Sequence, residues 1–153
     1  MEDWTGLYMK KIINGVKEYQ FRSILLMSVV KQPLSVDEIA VLDLITTYSK
    51  IFGLGFSNLN GDSQYSFAEY PKRRMLLAEA NKNNILLGLV EPCWEKTGYK
   101  YKLSENGKTL SEALDTEYAC EYKKHMEQCL VDVLAYEGWF QRYLMLIMKG
   151  GIE

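Results

Sequence analysis

Between residues 88 and 103 the chain changes its periodicity, and this change narrows the folds open to it more than any other feature. Gly88-Leu89-Val90 and Trp94 lead into Glu95-Lys96-Thr97-Gly98, after which Tyr99, Tyr101 and Leu103 alternate with Lys100 and Lys102. Period-two alternation beside a short Gly-containing turn predicts a β-hairpin. The segments before and after it read with helical period, so the expectation is an α+β chain, mainly α.

The clearest helix start lies at Ser35. Glu38 follows three residues later, a capping-box spacing, and Leu34 and Ile39 are placed for a hydrophobic staple. The helix that begins at Val36 carries Ile39, Leu42, Ile45 and Tyr48 at spacing three, with Leu44 and Ile51-Phe52 extending the apolar surface. Before it, Phe21, Ile24, Leu25 and Val29 predict a helix closed by Lys31-Gln32-Pro33. Earlier still, Trp4, Tyr8, Ile12 and Val16 predict a short amphipathic helix ending near Asn14-Gly15.

Residues 53–70, rich in Gly, Asn and Ser, read as a loop. Pro71 suits the first turn of a helix, which would bury Leu76, Leu77, Ala80 and Leu87 and stop at Gly88. After the hairpin, Ser104 caps a helix bearing Leu110, Leu114 and Tyr118. One longer helix to about Met148 would follow, with Met126, Cys129, Val133, Tyr136, Phe140, Tyr143 and Ile147 alternately three and four apart, a heptad seam. Leu130, Leu134 and Leu144 form a second stripe beside it.

The order helix, capped helix, helix, hairpin, helix is the plan of a winged helix. The expected organisation is a single domain over residues 1–153, with a winged-helix core at 18–108, an added N-terminal helix and a C-terminal helical extension at 109–148. The chain has 153 residues and is 48% hydrophobic, enough for a core of its own. A formal charge of −2 excludes a globally basic nucleic-acid binder. Charge is nonetheless segregated: residues 71–108 hold eight Lys and Arg against four Asp and Glu, and residues 109–137 hold two against seven.

The three cysteines, Cys93, Cys120 and Cys129, share no metal-ligand spacing, so no metal is expected and a reducing, cytoplasmic setting is. The N-terminus lacks the pattern of a secretory signal, and the apolar stretch from Trp139 to Met148 is too short to span a bilayer.

A binding face is suggested by the cations. Lys72, Arg73 and Arg74 fall in the first turn of a helix, where the macrodipole disfavours each by about 0.3–1 kcal/mol. A phosphate backbone across the helix start would offset this, with Lys96, Lys100 and Lys102 on the wing reaching an adjacent phosphate; ordinary solvated charges are the other explanation. No base-reading set of Arg, Asn or Gln is evident, so contact with double-stranded DNA would be weak and non-specific.

A second candidate surface consists of Tyr136, Trp139, Phe140, Tyr143, Leu144 and Ile147, either core or partner interface. Catalysis finds little footing. His125, the only histidine, sits one helical turn from Glu121 and from Cys129, and the sequence contains no Walker A, GxGxxG, GxSxG or HExxH motif. No cofactor is expected.

The run Val41-Leu42-Asp43-Leu44-Ile45 through Tyr48, then Pro71-Lys72-Arg73-Arg74-Met75-Leu76-Leu77, Gly88-Leu89-Val90 and Gly98-Tyr99-Lys100-Tyr101-Lys102-Leu103-Ser104-Glu105-Asn106-Gly107 resembles the middle component of bacterial ABC three-component systems over roughly residues 20–120. The resemblance implies a non-enzymatic accessory subunit of an SMC-like ATPase complex in Lamassu-like antiphage or anti-plasmid defence. It would dock on the ATPase, alongside a nuclease-like effector, and help the complex engage DNA. The residues alone leave another reading open, a winged-helix transcriptional regulator that homodimerises through its heptad-spaced C-terminal helix.

Overall fold

A helix that is apolar on every side has no face to offer water and must be enclosed. From Ile39 onward the capped helix of this chain has no side turned to water, and it lies at the centre of the molecule. A computed structural model describes residues 15–54 and 66–150. In chain order the elements are α1 (Val16–Val30), α2 (Val36–Thr47), a 3-10 turn (Ser66–Glu69), α3 (Tyr70–Leu86), β1 (Val90–Glu95), β2 (Gly98–Leu103), α4 (Glu105–Ala113), α5 (Glu117–Leu134) and α6 (Trp139–Met148). Every residue of α2 from Ile39 to Thr47 is buried, with α1, α3, α5 and α6 packed around it.

The local signals at the start of α2 operate as their chemistry dictates. The Glu38 N–H donates to Ser35 Oγ at 3.1 Å, and the Ser35 N–H donates to Glu38 Oε1 at 2.9 Å. Leu34 and Ile39, the staple pair, are both fully buried. α1 begins at Val16 with Gly15 as its N-cap and ends where Lys31 turns left-handed at φ 60°. The helix expected around Trp4, Tyr8 and Ile12 lies outside the described residues, as do residues 55–65 of the expected loop.

At the C-terminus of α3 the chain closes in a Schellman motif: Gly88, at φ 74°, donates to the Ile85 carbonyl and Leu89 to that of Asn84. The inward face of α3 differs from the expected one. Leu77 and Ala80 are buried, but Leu87 is the C-cap and is 64% exposed, while Arg73, Asn81 and Asn84 take interior positions. The two asparagines are matched: Ser23 Oγ donates to Asn81 Oδ1 at 2.9 Å, and Asn84 exchanges hydrogen bonds with Gln20, whereas Arg73 Nε is buried without a partner.

β1 and β2 pair antiparallel with Trp94 opposite Tyr99, Pro92 opposite Tyr101 and Val90 opposite Leu103. Tyr101 exchanges both backbone hydrogen bonds with Leu34, which adds a one-residue third strand beside β2. The N–H and C=O of Tyr101 therefore point away from β1. In antiparallel pairing its partner Pro92 then faces the open edge, where a missing N–H removes a donor that another strand would use.

The junction after the hairpin is tight. Ser104 Oγ accepts from the Gly107 N–H at 3.1 Å and donates to the Gly88 carbonyl at 2.6 Å. A Cβ on Gly107 would stand 2.0 Å from the Leu89 carbonyl oxygen. α4 ends at Ala113, so Leu114 and Tyr118 do not share a helix with Leu110 as expected.

The long C-terminal helix is also two. Gly138, at φ 78°, breaks it between α5 and α6, because a left-handed residue cannot continue a right-handed helix. The heptad seam is thus discontinuous. Its α5 portion, Met126, Cys129 and Val133, is buried in the same hydrophobic cluster as α1 and α2.

Candidate interaction surfaces

Asp43 is a charge in the enclosed part of α2, where burial does not allow it to stand unpartnered. Its carboxylate is fully buried and accepts four hydrogen bonds, which saturates its lone pairs. Arg22 of α1 grips it with Nε, at 2.9 Å from Oδ1, and with Nη2 on Oδ2. Arg73 of α3 donates from Nη1 to Oδ2 at 2.9 Å, and the Tyr122 hydroxyl of α5 donates to Oδ1 at 2.6 Å. Two outer carboxylates complete an alternating row, Glu18 at 3.8 Å from Arg22 and Glu69 at 3.2 Å from Arg73. Thr47 Oγ1 accepts a further bond from Arg73 at 2.6 Å. Both guanidiniums also lie over aromatic rings, Arg22 at 4.6 Å from the Tyr19 centroid and Arg73 at 5.2 Å from that of Tyr48.

The electrostatics follow from this enclosure. Burial pushes the Asp43 carboxyl up, but Arg22, Arg73 and the Tyr122 hydroxyl outweigh it and hold the group below the usual carboxylate range. Burial likewise pulls the Arg22 and Arg73 guanidiniums down, and Asp43 more than restores them. The cluster therefore stays ionised, and it ties four helices to one carboxylate.

This cluster was not anticipated from the sequence, although Val41-Leu42-Asp43-Leu44-Ile45 carries the signal. An acid enclosed by apolar neighbours on all sides must find a buried base. The cluster also answers the unfavourable cations in the first turn of α3. Arg73 is only 2% exposed and is held by Asp43 and Glu69, while Arg74 pairs with Asp37 of α2. The compensating charge comes from within the fold.

The six cations of the suggested binding face thus have different settings. Arg73 has no outward face. Arg74 is exposed and paired. On the hairpin, Lys100 lies between Glu38 at 3.2 Å and Glu95 at 3.5 Å, and Lys102 is 3.9 Å from Glu91. Lys72 and Lys96 are exposed. On the same hairpin as Lys96, Trp94 is 78% exposed with its ring edge-to-face on Tyr99.

The C-terminal aromatics divide as well. Tyr143 and Ile147 are buried, Tyr143 with its ring 5.9 Å from that of Phe52. Trp139, Phe140 and Leu144 are half-buried against the cluster, and Tyr136 is 50% exposed beneath the Arg142 guanidinium. Met145, Met148 and, on α5, Val131 are exposed apolar side chains. α6 is apolar almost all round, with only Gln141 and Arg142 polar, yet the fold covers one face of it.

Cys129 and His125 do not form a reactive pair. The Cys129 thiol is buried 3.5 Å from the Leu54 carbonyl, and burial pushes its pKa up, the opposite of activation. No described helix is long and apolar enough to cross a membrane.

A family model described as ABC-three component (ABC-3C) system Middle Component 2 matches residues 12–138. Neither the curated proteins nor the solved structures contain a significant match.

Proposed function

Because the chain belongs to the ABC-three component system Middle Component 2 family, and so is one component of a multi-component system, we propose that it is a non-enzymatic accessory subunit that docks on an SMC-like ATPase beside a nuclease-like effector. In this reading the complex is cytoplasmic and serves bacterial antiphage or anti-plasmid defence of the Lamassu-like kind. We read the fold as a winged helix: the hairpin is the wing, Leu34 supplies the short third strand, and α3 is the helix beside the wing.

The observation that carries the docking role is α6. A helix apolar nearly all round is stable in water when both its faces are covered, and this one has an inner face on the core and an outer face at Met145 and Met148, which are 53% and 65% exposed. Exposed Gln141 and Arg142 share that outer face, and half-buried Trp139, Phe140 and Leu144 with exposed Tyr136 add apolar and aromatic area, a mixture of aromatic, Met and Arg side chains suited to an interface. DNA engagement falls to Lys72 and Lys96, with Arg74, Lys100 and Lys102 contributing only as far as their carboxylate partners release them. Such a set supplies weak, salt-sensitive contact without base reading. The homodimeric regulator is less well supported, since Met126, Cys129 and Val133 of the supposed dimer seam are spent in the core.

Co-expression with the ATPase and effector of its own system tests this. The wild-type chain should co-purify in fixed ratio, and Met145→Asp with Met148→Asp should remove it from the complex without changing its circular dichroism. A wild-type chain that purifies alone as a dimer, or a double variant that still co-purifies, would sink the docking role. The same preparations, titrated with duplex DNA, should lose retardation on Lys72→Glu with Lys96→Glu.

A further inference from the structure

A groove of about 790 Å³ runs along the C-terminal end of α1, away from α6 in the chain and distinct in composition. Four lysines from four different elements line it: Lys31 at the cap of α1, Lys102 of β2, Lys108 of α4 and Lys123 of α5. Against them stand two lining carboxylates, Glu112 and Glu127, and outside the lining Glu91 and Glu105 pair with Lys102 and Lys108; the groove shows a surplus of two positive charges, four less two, when an incoming acid displaces those surface pairs. The lysines are not locked away. Lys102 and Lys108 are 52% and 59% exposed, and their glutamate partners Glu91 and Glu105 sit on the surface, where such pairs contribute little. Lys123 spends one of its three N–H donors on the Ser111 carbonyl at 2.9 Å.

The remaining lining says what kind of acid fits. Met27, Val29, Pro33 and Leu103 supply an apolar floor, and Val29, Pro33 and Leu103 are only half-buried. α1 also ends here, and a helix end leaves its last carbonyls without intrahelical donors. Lys31 N–H satisfies Met27, and Pro33 has no N–H to give. A phosphodiester backbone brings acceptors only, with no donor for these carbonyls. A peptide brings N–H donors for the carbonyls, carboxylates for the lysines and apolar side chains for the floor.

We propose that this groove is the docking site for an acidic, partly apolar peptide segment of a partner protein. The proposal rests on the reading of the chain as one subunit among several, and it adds a second contact point, chemically unlike α6. The groove lies wholly within the family-matched residues 12–138, whereas α6 lies beyond them.

The probe is a fluorescein-labelled 12-residue peptide of Glu, Leu and Gly, titrated into the full chain with its Lys-for-Glu counterpart and a duplex DNA of equal charge as controls. The acidic peptide should bind with amide chemical-shift changes centred on residues 27–33 and 102–111. Lys102→Glu with Lys108→Glu should weaken it at least about tenfold, whereas Lys72→Glu with Lys96→Glu should leave it unchanged. No binding up to roughly 1 mM, binding indifferent to the first pair of substitutions, or shifts in the groove from DNA instead of peptide would each overturn the proposal. Co-purification separates the two readings: if the ATPase complex forms with the wild type and equally with the Lys102, Lys108 variant, the groove fails while the subunit role stands.

Discussion

Asp43 occupies the position on which the interior depends, because it is the one acceptor that two buried guanidiniums and the Tyr122 hydroxyl share. Replacing it by asparagine leaves Arg22 and Arg73 buried with no anion between them, a loss of the kind that costs about 3–5 kcal/mol. Asp43→Asn should therefore lower the urea midpoint severely. Arg74→Ala, which breaks the exposed pair with Asp37, should cost under about 1 kcal/mol; equal losses in the two variants would show that the cluster is not the anchor its geometry indicates. Tyr48 carries a pH dependence of its own. Burial, with the Glu69 carboxylate that accepts its hydroxyl, pushes its pKa from 10.0 up to about 12. The unfolded chain then gives up this proton first, so the stabilisation is whole below the ordinary tyrosine value and is lost as pH rises from there to about 12. Unfolding midpoints measured up the alkaline limb should fall for the wild type and fall less steeply for Tyr48→Phe.

Among the elements, the junction of α3, the hairpin and α4 depends on a single missing side chain. The path of the Leu89 carbonyl beside Gly107 leaves no room for a Cβ at 2.0 Å, and the obstacle is backbone, which cannot rotate aside. Gly107→Ala should destabilise by about 1–3 kcal/mol or more, seen as a lower thermal midpoint, while Gly98→Ala, with nothing within 4 Å of its Cβ position, meets only the strain of its φ of 121°. Much at this scale was legible in the sequence. The capping box at Ser35 and Glu38, the Ser104 cap, the Gly88 stop and the hairpin are all short-range chemistry, complete within a few residues. The break at Gly138 was not read, because apolar spacing runs unbroken across it and only the backbone turn distinguishes two helices from one.

For the whole molecule, the decisive division is between the two faces of α6. Tyr143→Asp places a charge in the core and should unfold the chain, whereas Met145→Asp should leave its unfolding free energy within about 0.5 kcal/mol of the wild type and act only on assembly. If both unfold the protein, the outer face is structural and the docking surface must be sought elsewhere. The sequence by itself determined the capping box of α2, the Ser104 cap, the stop at Gly88, the hairpin and the family resemblance, since these follow from periodicity and near-neighbour hydrogen bonding. Only the tertiary structure decided which charges are surface and which are core. Arg73 and Arg74 are adjacent and identical in type, yet one is enclosed against Asp43, thirty residues away in the chain, and the other pairs at the surface. The same holds for Lys31, Lys102, Lys108 and Lys123, unremarkable when read along the chain and gathered only where four elements meet. Burial and long-range pairing are properties of how helices pack, and no local pattern encodes which distant partner will arrive.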